Sequence, residues 1–202
     1  MARYGARNSK WAVFSTEKAD EDPKKLPKYN EKKSFGELNK VTDTINTNEG
    51  SLAGDDSIVL YRKQFKDGTV EAESVFLPVA DAAVMLGSPH DDTMGVAHTT
   101  DDNAPYIGYG FTTMHVSKTI EYYQVVVYPK LRASKGSDTY ETRGENITFA
   151  TDKMSFHLES PLCRVYKIEK DFPTEAEATT YLDSLFAGTA AIPGIPASAP
   201  SA

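Results

Sequence analysis

From Gly36 onward, apolar and polar residues alternate with a period close to two, the pattern of strands with one buried and one exposed face. Residues 58–62 (IVLYR) and 69–76 (TVEAESVF), separated by the turn-like Lys66, Asp67 and Gly68, predict a short hairpin. In its second strand Val70, Ala72, Ser74 and Phe76 point one way, and Thr69, Glu71, Glu73 and Val75 the other. The strongest strand signal is the pair 106–116 (YIGYGFTTMHV) and 119–131 (TIEYYQVVVYPKL), joined through Ser117 and Lys118. Residues 146–158 (NITFATDKMSFHL) and 162–170 (LCRVYKIEK) read as strands from their β-branched and aromatic content.

The period changes to helical in two places. Residues 79–87 follow Pro78 and end in Gly87, which predicts a short helix with a glycine stop. After Pro173, Thr174 and Glu177 form a capping box, and Ala178, Tyr181, Leu182, Leu185 and Phe186 share one helical face before Gly188. The ends carry weaker patterns. Trp11, Val13 and Phe14 form a small apolar knot, read as a peripheral short strand. Residues 15–36, with two prolines and many charges, read as an exposed arm or long loop that orders against a partner. The uncharged, proline-rich stretch 188–202 reads as a disordered tail, leaving one domain over 1–187.

Composition narrows the function classes. The 202 residues include a single cysteine, Cys163, so a disulfide-framed secreted fold is excluded. No apolar run is long enough for a membrane helix, and MARYGARNSK lacks the apolar core of a signal peptide, so cytosolic synthesis is expected. The net charge of −7 argues against a general nucleic-acid binder. It divides unevenly: residues 1–40 hold ten Lys/Arg against six Asp/Glu (+4), leaving −11 on the rest.

Candidate chemistry is sparse. His90, Asp91, Asp92, His98, Asp101 and Asp102 crowd one acidic loop, but their spacing fits neither a helical zinc pair nor a twelve-residue calcium loop, and a solvated loop is the simpler reading. Gly108 and Gly110 match part of a dinucleotide fingerprint without its third glycine and lie inside a strand, which suits close backbone approach better than a phosphate cradle. Cys163 has no assignable base and reads as structural. His115 and His157 fall on separate strands with no motif around them, and Asn146 to Thr148 matches a glycosylation acceptor that matters only on secretion.

Several segments, taken in order, resemble the major tail protein family of long, non-contractile-tailed bacteriophages. They are GARNSKWAVF, SLAGDDSIVLYRKQFKDGTVEAESVFLPVADAAVMLG, APYIGYGF, YYQVVVYPKLRAS, ETRGENITFATDKMSF and FPTEAEATTYLDSLF, spread over roughly residues 3–187. The sequence departs from the family pattern in LAGDD and in its proline-rich tail. The resemblance implies a mainly β fold with α, a β-sandwich or partly rolled barrel plus a flanking helix, shared with type VI secretion tube proteins. It implies hexameric rings that stack into a tail tube, the conduit for DNA ejection, with no cofactor and no enzymatic activity. The implied partners are other copies of the chain, the tape measure, tail terminator and distal tail proteins, and viral DNA in transient, non-adhesive passage, without a membrane. The implied location is the virion tail after synthesis in the bacterial host cytoplasm.

On that reading, Glu71, Glu73 and Glu121 are expected to face the lumen and repel phosphate, while the arm at 15–36 clamps the adjacent ring. A tail terminator or neck ring, a secretion-system tube and a monomeric ligand-binding β-barrel are the alternatives.

Overall fold

The computed structural model describes residues 2–16, 18–54, 57–116, 121–135 and 151–189. In chain order the elements are β1 (Ala2–Val13), β2 (Lys33–Ser34), β3 (Leu38–Gly54), β4 (Ser57–Ser74), α1 (Val79–Leu86), β5 (His90–Asp91), β6 (Gly95–Val96), β7 (Tyr106–Val116), β8 (Glu121–Lys135), β9 (Asp152–Leu158), β10 (Ile168–Phe172) and α2 (Glu175–Phe186). The chain is mainly β. Seven strands form an antiparallel sheet in the order β2-β1-β7-β8-β9-β4-β3, β10 adds to β8, and β5 and β6 make a separate small ladder.

Pro129 explains why the sheet branches at β8. Proline has no N–H to give to a ladder and is tolerated in sheets at edges and bulges. Between the pairs Tyr109↔Tyr128 and Ile107↔Leu131 the register slips, placing Pro129 and Lys130 opposite Gly108 alone. On the other edge of β8, residues 123–127 pair with β10 and residues 131–135 pair with β9. The carbonyl of Pro129 accepts from the Tyr29 hydroxyl at 2.7 Å, and that of Lys130 from the Glu159 N–H at 3.1 Å.

Each face of this sheet has its own core. Ile107, Tyr109, Phe111, Val126 and Tyr128 point to one side, where they pack with Trp11, Phe35, Val70, Ala72, Met154 and Phe156. Val125 and Val127 point to the other, against Ala178, Leu182, Leu185 and Phe186 of α2 and Leu26. The period of two in β8 thus feeds two hydrophobic layers rather than one layer and solvent. Gly108 and Gly110 make the second layer possible. A Cβ on Gly110 would lie 2.8 Å from both Leu182 and Val127, and one on Gly108 only 2.6 Å from the Tyr29 ring.

Both expected helices are present. Gly87 ends α1 at φ +71°, and the Thr174 hydroxyl accepts from the Glu177 N–H at 3.3 Å to cap α2. The strands expected at 106–116 and 119–131 are β7 and β8, although their connection at 117–120 lies outside the described residues, as do 146–150 and the tail from 190.

Other expectations are corrected. The 66–68 segment is no turn: β4 runs straight through it to pair with β3, and the hairpin spans 38–74. Lys66 is the extra residue of a bulge, and a Cβ on Gly68 would sit 2.7 Å from the Thr44 carbonyl oxygen, so this glycine serves close approach between strands. The knot at Trp11 is central rather than peripheral: β1 pairs with β7, and Trp11 is buried. The 15–36 segment is held by its own chain through buried Ala19, Leu26 and Phe35 and an Asp20–Lys130 ion pair of 3.1 Å. Cys163 lies buried before β10 in an irregular segment where Arg164 takes φ +62°, not in a strand.

Candidate functional site

Beyond the end of β9, the β3–β4 hairpin continues alone. Leu158 of β9 pairs with Gly68, whereas β3 and β4 go on pairing from Ile45↔Gly68 out to Gly54↔Ser57. Over this outer half β4 has no second partner among the described residues, and β3 has none besides β4 along its whole length. An isolated two-stranded ribbon is marginal in water because neither of its faces is packed. Here Leu52 (62% exposed), Leu60 (50%) and Tyr61 (54%) add large apolar side chains to its tip. Of the three register shifts in the β3–β4 ladder, the one at 38/40 places its extra residue, Asn39, in β3, and those at 46/47 and 52/53 place theirs in β4.

The root of the ribbon is braced. Phe65 stacks on Tyr166 with ring centroids 4.2 Å apart, and the Lys167 ammonium donates to Asp43 at 2.8 Å and approaches Glu169 at 3.0 Å. Burial alone would raise the Asp43 carboxyl, but the hydrogen bond and charge of Lys167 outweigh it and hold the group below its ordinary value. The same two carboxylates raise the Lys167 ammonium against the opposing effect of its burial.

Nearer the body, β3, β4, β9 and the end of β8 share an open polar face. Its cross-strand rows are Lys40, Glu73 and Lys153; Thr42, Glu71, Ser155 and Ser134; and Thr44, Thr69, His157, Arg132 and Tyr106. Glu71 and Glu73 therefore lie together, as their alternation implied. They do not make an acidic surface: Lys153 bridges Glu71 at 3.1 Å and stands opposite Glu73, as Lys40 does on the other side. The Arg132 guanidinium lies over the Tyr106 ring, 4.3 Å from its centroid. Glu121 is far from this face in the sheet, exposed at the start of β8 opposite Val116.

The acidic loop after α1 does not assemble a catalytic set. Ser88 donates to Asp102, and its Oγ lies 3.0 Å from His98 Nδ1, so one ring nitrogen faces both groups, Asp102 Oδ2 being 3.8 Å away. A nucleophile–base–acid relay needs the imidazole between its partners, one on each nitrogen. Asp91 instead closes its own turn by accepting from the N–H groups of Thr93 and Met94, which lowers its carboxyl below the ordinary value. Among the described residues, no group of three or more His, Cys, Asp or Glu side chains is arranged to hold a metal ion. Burial pushes the Cys163 thiol up, away from nucleophilic character.

The feature that residue-by-residue reading missed is the ribbon tip. Its signal was present in 44–54 (TINTNEGSLAG), which holds only two large apolar residues, Ile45 and Leu52. A strand opposite 58–62 with so little apolar content leaves Leu60 and Tyr61 with no core to enter. No protein-family model matches the chain, and no curated protein matches it.

Proposed function

We propose that this chain is a structural protein of the tail-tube kind, whose copies close into hexameric rings that stack into a conduit for viral DNA. The observation that carries this reading is the braced, uncovered ribbon: a two-stranded extension with apolar residues at its tip gains its packing from a neighbouring copy. The ordered resemblance to the major tail protein family supplies the kind of assembly. The unpaired edge of β3 is a second surface suited to a ring, since heterologous joining of sheet edges around a closed circle leaves no edge exposed.

Two details of the sequence-based picture change. The arm at 15–36 is a poor ring clamp, because it packs on its own body and commits Lys32 to Asp183 at 3.1 Å and Lys33 to Asp81 at 2.8 Å. The open polar face is the lumen candidate, but its chemistry differs from plain repulsion. Small hydroxyl side chains separate charges of both signs, and such a surface offers DNA no continuous run of bases on which to release counterions.

Negative-stain electron microscopy and light scattering of the concentrated full-length protein test the reading. Long stacks of rings are expected. Single rings that never stack would favour the terminator or neck alternative, and a monomer at every concentration would overturn the assembly.

A further inference from the structure

The loop that follows α1 is fastened by a small cluster whose protons can be counted. Ser88, buried just past the helix end, donates its hydroxyl proton to Asp102, and its Oγ lies 3.0 Å from His98 Nδ1. The Thr99 hydroxyl donates to the other Asp102 oxygen at 2.6 Å. These two donors, Ser88 above all, hold the Asp102 carboxyl below its ordinary value, so it stays ionised across the range in which imidazoles titrate. An ionised carboxylate only accepts, and a hydroxyl has one proton to give. Ser88 therefore has only lone pairs left for His98, and their contact requires the ring proton on Nδ1. Neutral His98 is the Nδ1–H tautomer, with Nε2 as the bare nitrogen.

That tautomer fixes the sign of the response to pH. Had Ser88 donated to Nδ1, protonating the ring would have cost the loop a hydrogen bond. Here the proton adds at Nε2, the Nδ1–H donor survives, and the new positive charge lies 3.8 Å from Asp102. His90 repeats the spacing at the start of the loop, its Nδ1 3.8 Å from Asp92. Residues 88–104 hold four aspartates and two histidines but no lysine or arginine, so the histidines are the loop's own source of positive charge. Groups that reach the same place from outside are engaged elsewhere. The hollow of about 230 Å³ that His98 lines takes Asp152 and Lys153 from β9 and only apolar side chains from α1. Asp152 accepts from the Leu77 N–H at 2.7 Å, Lys153 bridges Glu71 at 3.1 Å, and Asp81 of α1 pairs with Lys33.

We propose that loop 88–104 is a pH-responsive strap beside α1, tightened when His98 gains a proton and pairs with Asp102, and loosened when that proton leaves. The two ends of the strap meet at the helix stop, where a Cβ on Gly87 would lie only 2.2 Å from the Asn103 carbonyl oxygen. Tightening holds Val96 and His98 over the hollow floored by Leu77, Val79 and Leu86, and loosening opens it. The strap goes beyond the assembly reading above and does not depend on it.

Nitrogen-15 NMR of the full-length wild-type protein, in solution or by magic-angle spinning where it assembles, reads the tautomer directly. His98 is expected as Nδ1–H at about pH 8 and doubly protonated at about pH 5; an Nε2–H ring at the higher pH would overturn the strap. Hydrogen exchange followed by mass spectrometry, corrected for the intrinsic effect of pH, measures the tightening. Protection of amides in 95–103, relative to those of β7, should rise about threefold from pH 8 to pH 5, the scale of a partly exposed ion pair. H98N keeps a donor near the Nδ1 position but cannot titrate, and with wild-type circular dichroism it should show no rise. Wild-type protection that stays level or falls in acid overturns the proposal, as does a full rise in H98N. Neither readout requires association, so a protein monomeric at every concentration removes the assembly reading and leaves the strap standing, whereas a failed tautomer or exchange result does the reverse.

Discussion

The two halves of the β3–β4 hairpin make opposite use of the same secondary structure. The inner half of β4 pairs with β9 and turns Val70 and Ala72 into a core shared with Phe156 and Met154, every one of them almost wholly buried. The outer half has the same ladder and similar side chains, yet Leu60 and Tyr61 stand half exposed. Strand-forming residues settle that a strand forms; whether it contributes stability depends on what lies on its faces. A ribbon with both faces open adds backbone hydrogen bonds that largely exchange with water, so its apolar tip adds little stability to the single chain.

Substitutions at matched positions sharpen the contrast. The largest effect is expected from Phe156→Ala, which removes a ring packed between Phe35 and Tyr109, with centroids 6.1 and 5.6 Å away. The loss is about 3–5 kcal/mol and lowers the melting temperature by roughly 10 °C; calorimetry showing no change would place the core elsewhere. Gly110→Ala forces a methyl to within 2.8 Å of Leu182 and Val127 and is expected to cost about 1–3 kcal/mol in denaturant titration.

Asp183→Asn has a smaller, pH-dependent effect. Burial tends to raise the Asp183 carboxyl, but Lys10 and Lys32 outweigh this and hold it below its ordinary value. A lowered carboxylate stabilises the fold above its unfolded value of about 3.9, and that contribution fades as pH falls through the folded value. The variant should lose less than about 1 kcal/mol at neutral pH, given the partial exposure of these groups, and should show a flatter stability profile below pH 5 in acid titration followed by circular dichroism. The smallest effect belongs to the ribbon. Leu60→Ser should leave the melting of dilute protein within about 0.5 kcal/mol of wild type while weakening association; a large loss of monomer stability would erase the distinction between the two halves.

The elements that were legible in the sequence are those whose pattern is set by a single buried face or by a cap. α1 ends where Gly87 takes a left-handed conformation, α2 begins where Thr174 caps it, and β7 and β8 announce themselves through dense β-branched and aromatic residues. β3 was illegible for the opposite reason. Its outer half buries neither face, so it has no reason to alternate, and without it the Asp67-Gly68 pair looked like the turn of a shorter hairpin. Trp11 was undervalued because β1 is interrupted by register shifts between Tyr4 and Lys10 that break the period of two. Of the three acidic positions expected to act together, Glu71 and Glu73 share a face because they sit two apart on one strand, but their lysine neighbours come from β3 and β9, a pairing that strand spacing cannot reveal. Glu121 belongs to a different part of the sheet altogether.

The brace at the ribbon root has a mechanical meaning. Phe65 on Tyr166 and Asp43 on Lys167 act as the fulcrum of a lever whose tip, near Leu60, lies at least five residues, or about 17 Å, farther out. A rotation of some 7° at the fulcrum swings that tip by about 2 Å, about the gap between a good van der Waals contact and none. One ring stack and one ion pair, neither touching the tip, thus help to fix the direction in which the ribbon leaves the sheet.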